Sequence, residues 1–201
     1  MKDSVIIVST FVLGLVLARF GFLPDYLLND KLSSYALYVL MFVVGISIGG
    51  DDEAISVLKK TNWKVMLVPL SVIVGSLGAT ALYSLFVSSL SVKEAMAVGA
   101  GFGYYSLSSI LIGEMHGETL GTIALISNII RELFTLLFSP LLVIVFGRLA
   151  PVVSGGATAM DSTLPIIITS SGKEYGLIAV FNGIILTILV PVIITFIFSV
   201  L

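Results

Sequence analysis

Long runs without a single charged side chain constrain this sequence more than any other feature. Residues 32–50, 65–92 and 175–201 contain no Asp, Glu, Lys or Arg, and about 20 apolar residues suffice to cross a bilayer as a helix. Hydrophobic side chains make up 58% of the 201 residues and charged ones 11%, whereas charged residues approach a quarter of a soluble domain. The bilayer is therefore the expected solvent, which argues against a soluble enzyme. Twelve acids against ten bases give a formal net charge of −2, so no basic surface points to nucleic acid. The absence of cysteine removes disulfides, thiolate metal sites and thiol catalysis, and one histidine cannot make a histidine-rich metal centre. No cofactor is expected.

Gly, Pro and charge clusters cut the chain into membrane-sized pieces. Lys2 precedes an apolar stretch from Ser4 to Ala18, but Arg19-Phe20-Gly21-Phe22-Leu23-Pro24 has no small-x-small cleavage pattern, so this reads as a retained first span. Further spans are expected over residues 32–50, 65–87, 119–146 and 175–201, the last with Pro191 as a kink. Two stretches break this regularity. Residues 94–117 mix Gly99, Gly101 and Gly103 with Tyr104, Tyr105, Ser106, Ser108 and Ser109, and residues 151–172 run from Pro151 through Gly155 and Gly156 to Asp161, Ser162, Thr163 and Pro165. Non-helical backbone at membrane depth is tolerated only inside protein or beside a water-filled cavity. Both stretches therefore read as broken or re-entrant hairpins, with Gly101, Gly103, Gly155, Gly156 and Pro165 as hinge or break positions. Asp161 or Ser162 is expected to cap a new half-helix with Pro165 in its first turn. The expected fold is an all-α polytopic membrane protein: about five transmembrane helices plus two broken hairpins meeting near the midplane. It forms one transporter domain, residues 1–201, in which 1–90 are scaffold-like spans and 91–201 the core.

With the N-terminus inside, Lys2, Lys59, Lys60, Lys64, Arg148 and Lys173 fall on the inner side, and Arg19, Lys31 and Lys93 on the outer. That excess agrees with the positive-inside rule and places the C-terminus outside a cytoplasmic membrane.

Ionisable groups within membrane segments are costly and are functional candidates by default; here they are Asp161, Glu132, Arg131 and Glu114. Asp161 is the sharpest, because it lies between a Gly-rich break and a Pro-marked helix start, where carboxylate, free backbone groups and the hydroxyls of Ser162 and Thr163 converge. A cation or proton site fits that place, and so does a plain N-cap; both readings stand at this point. Arg131 and Glu132 point about 100° apart on a helix, so Glu132 can face a cavity while Arg131 meets a carbonyl, a carboxylate such as Glu114, or the interface. Asn128, one turn before Glu132, extends a polar stripe. Tyr104, Tyr105 and Ser106 supply donors around a backbone break and aromatic walls for an ammonium. The Gly99, Gly101, Gly103 alternation lacks the Gly-Lys-Ser/Thr of a phosphate loop. His116 reads as an interfacial residue, and Asp51, Asp52 and Glu53 as a solvated acidic helix end.

Two discontinuous helices meeting at midplane are a signature of secondary transporters. The stretches Gly101-Phe-Gly-Tyr-Tyr-Ser-Leu-Ser-Ser-Ile-Leu, Asn128-Ile-Ile-Arg-Glu132 and Gly156-Ala-Thr-Ala-Met-Asp-Ser-Thr-Leu-Pro165 closely resemble, in order and spacing, the LysO-type lysine exporter family. The resemblance covers essentially the whole chain and corresponds to the C-terminal, larger part of the longer members. It implies export of L-lysine or close analogues driven by an ion gradient, with protons favoured over Na+. It also implies that Asp161 occupies the position of an essential acid, with Asp51 the nearest match to a second. Because longer members carry an extra N-terminal group of helices, the resemblance further implies a homodimer or pairing with a small membrane protein. Rival readings are a subunit that needs a separate partner, a transporter of another small cationic or amino-acid substrate, a channel-like pore, and a membrane-embedded enzyme.

Overall fold

A computed structural model describes residues 63–86 and 89–200, together with Leu13, Val16, Leu17, Tyr35, Val39, Phe42 and Ile46 as single helical positions. The spans expected over 4–20 and 32–50, and the acidic group Asp51 to Glu53, lie outside the described residues apart from those positions. Contacts divide the chain into two compact units, 1–41 and 42–201, and the elements named below all belong to the second.

The described structure is all helical. A 3-10 turn, Trp63–Met66, leads into α1 (Leu67–Ser84); then come α2 (Val92–Gly99), α3 (Tyr105–His116), α4 (Glu118–Phe146), α5 (Ala150–Gly155), a 3-10 turn Gly156–Met160, α6 (Leu164–Ser171) and α7 (Lys173–Val200). Among the described residues three helices, Lys64–Ser84, Glu118–Phe146 and Lys173–Val200, are long and apolar enough to cross a membrane. At 1.5 Å per residue the 29 residues of α4 extend about 43 Å, beyond a hydrocarbon core of roughly 30 Å. The short helices cannot cross: α2 and α6, with eight residues each, extend only about 12 Å.

The expected broken hairpins are present, as α2–α3 (hairpin 1) and α5–α6 (hairpin 2), and they enter from opposite ends of α4. Hairpin 1 closes where Glu94 and His116 pair at 3.2 Å, immediately before α4 begins. Hairpin 2 closes where Arg148 and Glu174 pair at 3.4 Å, just after α4 ends. The His116 ring stacks on Phe198, with centroids 4.9 Å apart, so the C-terminus of α7 lies at the mouth of hairpin 1 and α7 runs antiparallel to α4. Val68 of α1 packs in one cluster with Val152, Ile167 and Ala179, which puts the Lys64 end of α1 on the hairpin 2 side. Lys64, Arg148 and Lys173 therefore share one end and Lys93 lies at the other, as the charge count anticipated. Helix α7 continues unbroken through Pro191.

Close approach fixes the packing of hairpin 1. A Cβ on Gly121 of α4 would lie 2.7 Å from the Ser109 carbonyl and 2.9 Å from Gly113 Cα, so α3 and α4 touch backbone to backbone, as small residues allow in membranes.

Candidate functional site

The hairpin tips meet end to end. The Ala157 N–H of hairpin 2 donates to the Phe102 carbonyl of hairpin 1 at 2.8 Å. Gly101, Phe102, Gly103, Gly155, Gly156 and Ala157 are all buried, which is how protein shelters irregular backbone at this depth. Phe102 adopts φ 47 and Gly156 φ 62. Any Cβ at Gly156 would run into the Phe102 carbonyl, so glycine is required there by conformation and by contact.

Side chains from α4 and α7 hold the broken backbone. Asn128, buried on α4, accepts the Gly103 N–H at 2.7 Å and donates to the Ala124 carbonyl at 2.8 Å and, more weakly, to the Val98 carbonyl at 3.4 Å. Arg131 donates through Nε to the Ser154 carbonyl at 2.8 Å, through one terminal nitrogen to the Val153 carbonyl at 3.1 Å, and through the other to Ser76 Oγ at 2.9 Å. A guanidinium placed on the terminal carbonyls of α5 satisfies orphan acceptors and opposes the negative end of that helix. Of the sequence alternatives for Arg131, the carbonyl is realised. The polar stripe on α4 runs Asn128, Arg131, Thr135, Ser139, with Thr135 and Ser154 hydroxyls 2.7 Å apart; Glu132 flanks it.

On the flank lies the charged cluster. The Gly103 backbone lies against Gly155 and Thr158, and the Asp161 N–H donates to the Thr158 carbonyl at 3.1 Å, which brings Asp161 near Tyr104 and Tyr105, with Glu132 on the Tyr105 side. These four residues from α3, α4 and the end of the second 3-10 turn therefore share one neighbourhood, with exposed Ser106 and Ser162 beside them. Asp161 is exposed, and its Oδ1 accepts the Ser162 N–H at 2.5 Å. The capping expectation is corrected here: the N-cap of α6 is Thr163, and it makes no side-chain capping bond. Its hydroxyl instead donates to the Thr158 carbonyl at 3.0 Å, so neither Asp161 nor Ser162 closes the helix. The start of α3 is likewise uncapped by any side chain. Two acids thus stand beside a helix N-terminus that no side chain caps.

Other candidates lie apart. Thr163 is fully buried and belongs to the loop scaffold. Pro165 sits in the first turn of α6, as expected. Glu114 is exposed near the far end of α3, about 14 Å along the helix from Tyr105, and is not brought to Asp161. A cavity of about 590 Å³ opens between α1, α2, α4 and α5, with Ser76, Thr80, Ser127, Asn128 and Arg131 in its wall; Tyr104, Tyr105, Glu132 and Asp161 do not line it. Its walls carry no carboxylate. Among the described residues no group of three or more His, Cys, Asp or Glu is placed to hold a metal ion.

Asn182 was not visible in the sequence as a site residue, being one amide in an apolar run. It is buried on α7 and donates to the Gly156 carbonyl at 2.8 Å and to the Val152 carbonyl at 3.5 Å. The available signal was spacing: Val98 to Asn128 and Val152 to Asn182 both span 30 residues. Hairpin 1 with α4 and hairpin 2 with α7 are an internal repeat of opposite orientation in the membrane, the architecture of many secondary transporters.

The profile of the family described as "Lysine exporter LysO" matches residues 8–198. A protein of Escherichia coli (strain K12) named "Lysine exporter LysO" is 34% identical over 98% of this chain and 63% of its own length. A "Putative lysine exporter" of Haemophilus influenzae is 31% identical over 94% of this chain and 95% of its own length. The chain thus spans somewhat under two thirds of the first relative and nearly all of the second. No solved structure matches significantly.

Proposed function

The chain belongs to the lysine exporter LysO family, and from that membership we propose that it exports L-lysine, or a close analogue, by secondary active antiport with protons. One observation supports this above the others: Asp161 and Glu132 flank Tyr104 and Tyr105 at the uncapped start of α3. Lysine is a zwitterion with an extra ammonium, and this place offers a partner for each charge. Its carboxylate is placed at the start of α3, which no side chain caps and where the helix dipole favours an anion. One ammonium meets Asp161 and the other Glu132, with the tyrosine faces as walls. A proton on Asp161 removes the charge that holds the ammonium, so proton and substrate compete for one carboxylate. That competition is what antiport requires.

The orientation proposed is a cytoplasmic membrane with Lys64, Arg148 and Lys173 inside. The mouth of hairpin 1 and the C-terminus of α7 then lie outside. Residues 1–90 serve as the scaffold against which the hairpins move. Counterflow of labelled lysine in proteoliposomes tests the reading. Saturable counterflow, competed by ornithine or arginine, is expected; flux that rises linearly with concentration would indicate a pore instead.

A further inference from the structure

The tip contact is a single file of hydrogen bonds with a direction. Asn128 Oδ1 accepts the Gly103 N–H at 2.7 Å. The carbonyl of that same peptide unit, Phe102, accepts the Ala157 N–H at 2.8 Å. The carbonyl of that next peptide unit, Gly156, accepts Asn182 Nδ2 at 2.8 Å. Two peptide units thus lie head to tail between two asparagine amides, one amide ending the file as acceptor and the other as donor.

The repeat relates the two halves of this file. One shift of 54 residues carries Val98 onto Val152, Phe102 onto Gly156, Gly103 onto Ala157 and Asn128 onto Asn182. The positive φ angles of Phe102 (47) and Gly156 (62) agree with that register. Yet the bonding is not equivalent. Asn128 Oδ1 receives the N–H of its own hairpin tip, whereas Asn182 Oδ1 is fully buried with no donor among the described residues, the Ala157 N–H being turned to the other hairpin. The orientation of the Asn182 amide is fixed by the two carbonyls that Nδ2 faces. A buried acceptor left without a donor is rare in native proteins.

We infer that the two tip peptides flip in concert during transport, reversing the file so that Gly103 N–H donates to the Gly156 carbonyl and Ala157 N–H to Asn182 Oδ1. Asn128 and Asn182 then exchange roles, and with them the two repeats exchange conformations. The inference rests on the transporter reading and adds the element that has two arrangements. Asn182 acts as a positioning residue: its oxygen has no function in the observed arrangement and is the acceptor in the reversed one. Residue 103 is glycine at φ 97, whereas its counterpart Ala157 would have to take that conformation on reversal, which alanine resists. The observed direction is therefore the favoured one, and the alanine sets the bias.

Because the chain has no cysteine, a single Ser162→Cys reports which side of the membrane the acid cluster faces. The probe is a membrane-impermeant maleimide applied from either side of oriented proteoliposomes, without substrate. Ala157→Gly should raise labelling from the minor side at least threefold, and Asn182→Leu should reduce it at least threefold, with the major side little changed. Labelling ratios unaffected by Ala157→Gly in folded protein would overturn the inference, leaving Asn182 Oδ1 to a bound water. Should Asn182→Leu fail to fold, Ala157→Gly alone decides. Lysine flux is scored separately: altered labelling without lysine flux would refute the substrate and not the flip, and flux with unaltered labelling the reverse.

Discussion

Hairpins 1 and 2 share a plan and are secured differently. Apart from the Phe102 carbonyl, hairpin 1 is held within its own repeat: Ser91 and Glu94 form a capping box at the start of α2, and Asn128 binds both sides of the break at Val98 and Gly103. Hairpin 2 depends on its surroundings. The carbonyls at the end of α5 are held by Arg131 from α4, its tip N–H is taken by Phe102, and Asn182 makes one good bond to it. It also carries the exposed acid, Asp161, where the shifted register puts apolar Leu107 in hairpin 1. A hairpin held mainly by its own repeat thus faces a charged hairpin held mainly by its neighbours.

The largest effect is expected where the two hairpins touch. Gly156→Ala places a side chain at positive φ against the Phe102 carbonyl. Strain of about 1–2 kcal/mol and overpacking of about 1–3 kcal/mol add there, so thermal unfolding should show a loss near 3 kcal/mol together with loss of transport. Gly117→Ala, also at positive φ but in open space, should show the strain alone.

Next in size is Arg131→Met, which removes three bonds, two of them to α5 carbonyls. With roughly 1.5–3 kcal/mol per charged hydrogen bond before compensation by water, hydrogen exchange should accelerate in residues 150–171 while 92–116 keep their protection. Equal acceleration in both hairpins would erase the distinction between them. A smaller contrast separates the asparagines: Asn128→Leu should cost about 2–3 kcal/mol and Asn182→Leu about 1 kcal/mol, because Asn182 makes fewer bonds and its loss relieves an unpaired oxygen.

The smallest effect concerns the mouth of hairpin 1. Hydrogen bonds from Ser91, with His116 adding a smaller share, hold the Glu94 carboxyl below the usual value of 4.5. A lowered carboxyl pKa means stabilisation present above pH 4.5 and lost as pH falls through the folded value. Glu94→Gln should therefore flatten the melting temperature against pH below about 4.5, with only a slight change at neutral pH.

Much of this fold was legible in the sequence. The hairpins expected at 94–117 and 151–172 are found at 92–116 and 150–171, and the later spans agree within about three residues at either end, because Gly and hydroxyl clusters interrupt otherwise lipid-like runs. The acid cluster was legible in part: Asp161, Glu132, Tyr104 and Tyr105 come together, whereas Glu114 does not. What stayed hidden depends on contacts across the repeat. Nothing local tells that Arg131 serves carbonyls 22 and 23 residues away. Nor does local sequence show that the Thr163 hydroxyl turns back to Thr158 instead of capping α6. Asn182 gains meaning only beside Asn128.

The central claim, a carboxylate in the break of hairpin 2 that holds lysine or a proton by turns, is tested most directly by efflux. Labelled lysine is followed from proteoliposomes with and without a pH gradient, for the unaltered chain beside Asp161→Asn. Gradient-driven efflux that falls at least tenfold in Asp161→Asn, as loss of about 1.4 kcal/mol or more of charge pairing requires, is the predicted result. Gradient-driven efflux that persists in folded Asp161→Asn would contradict it.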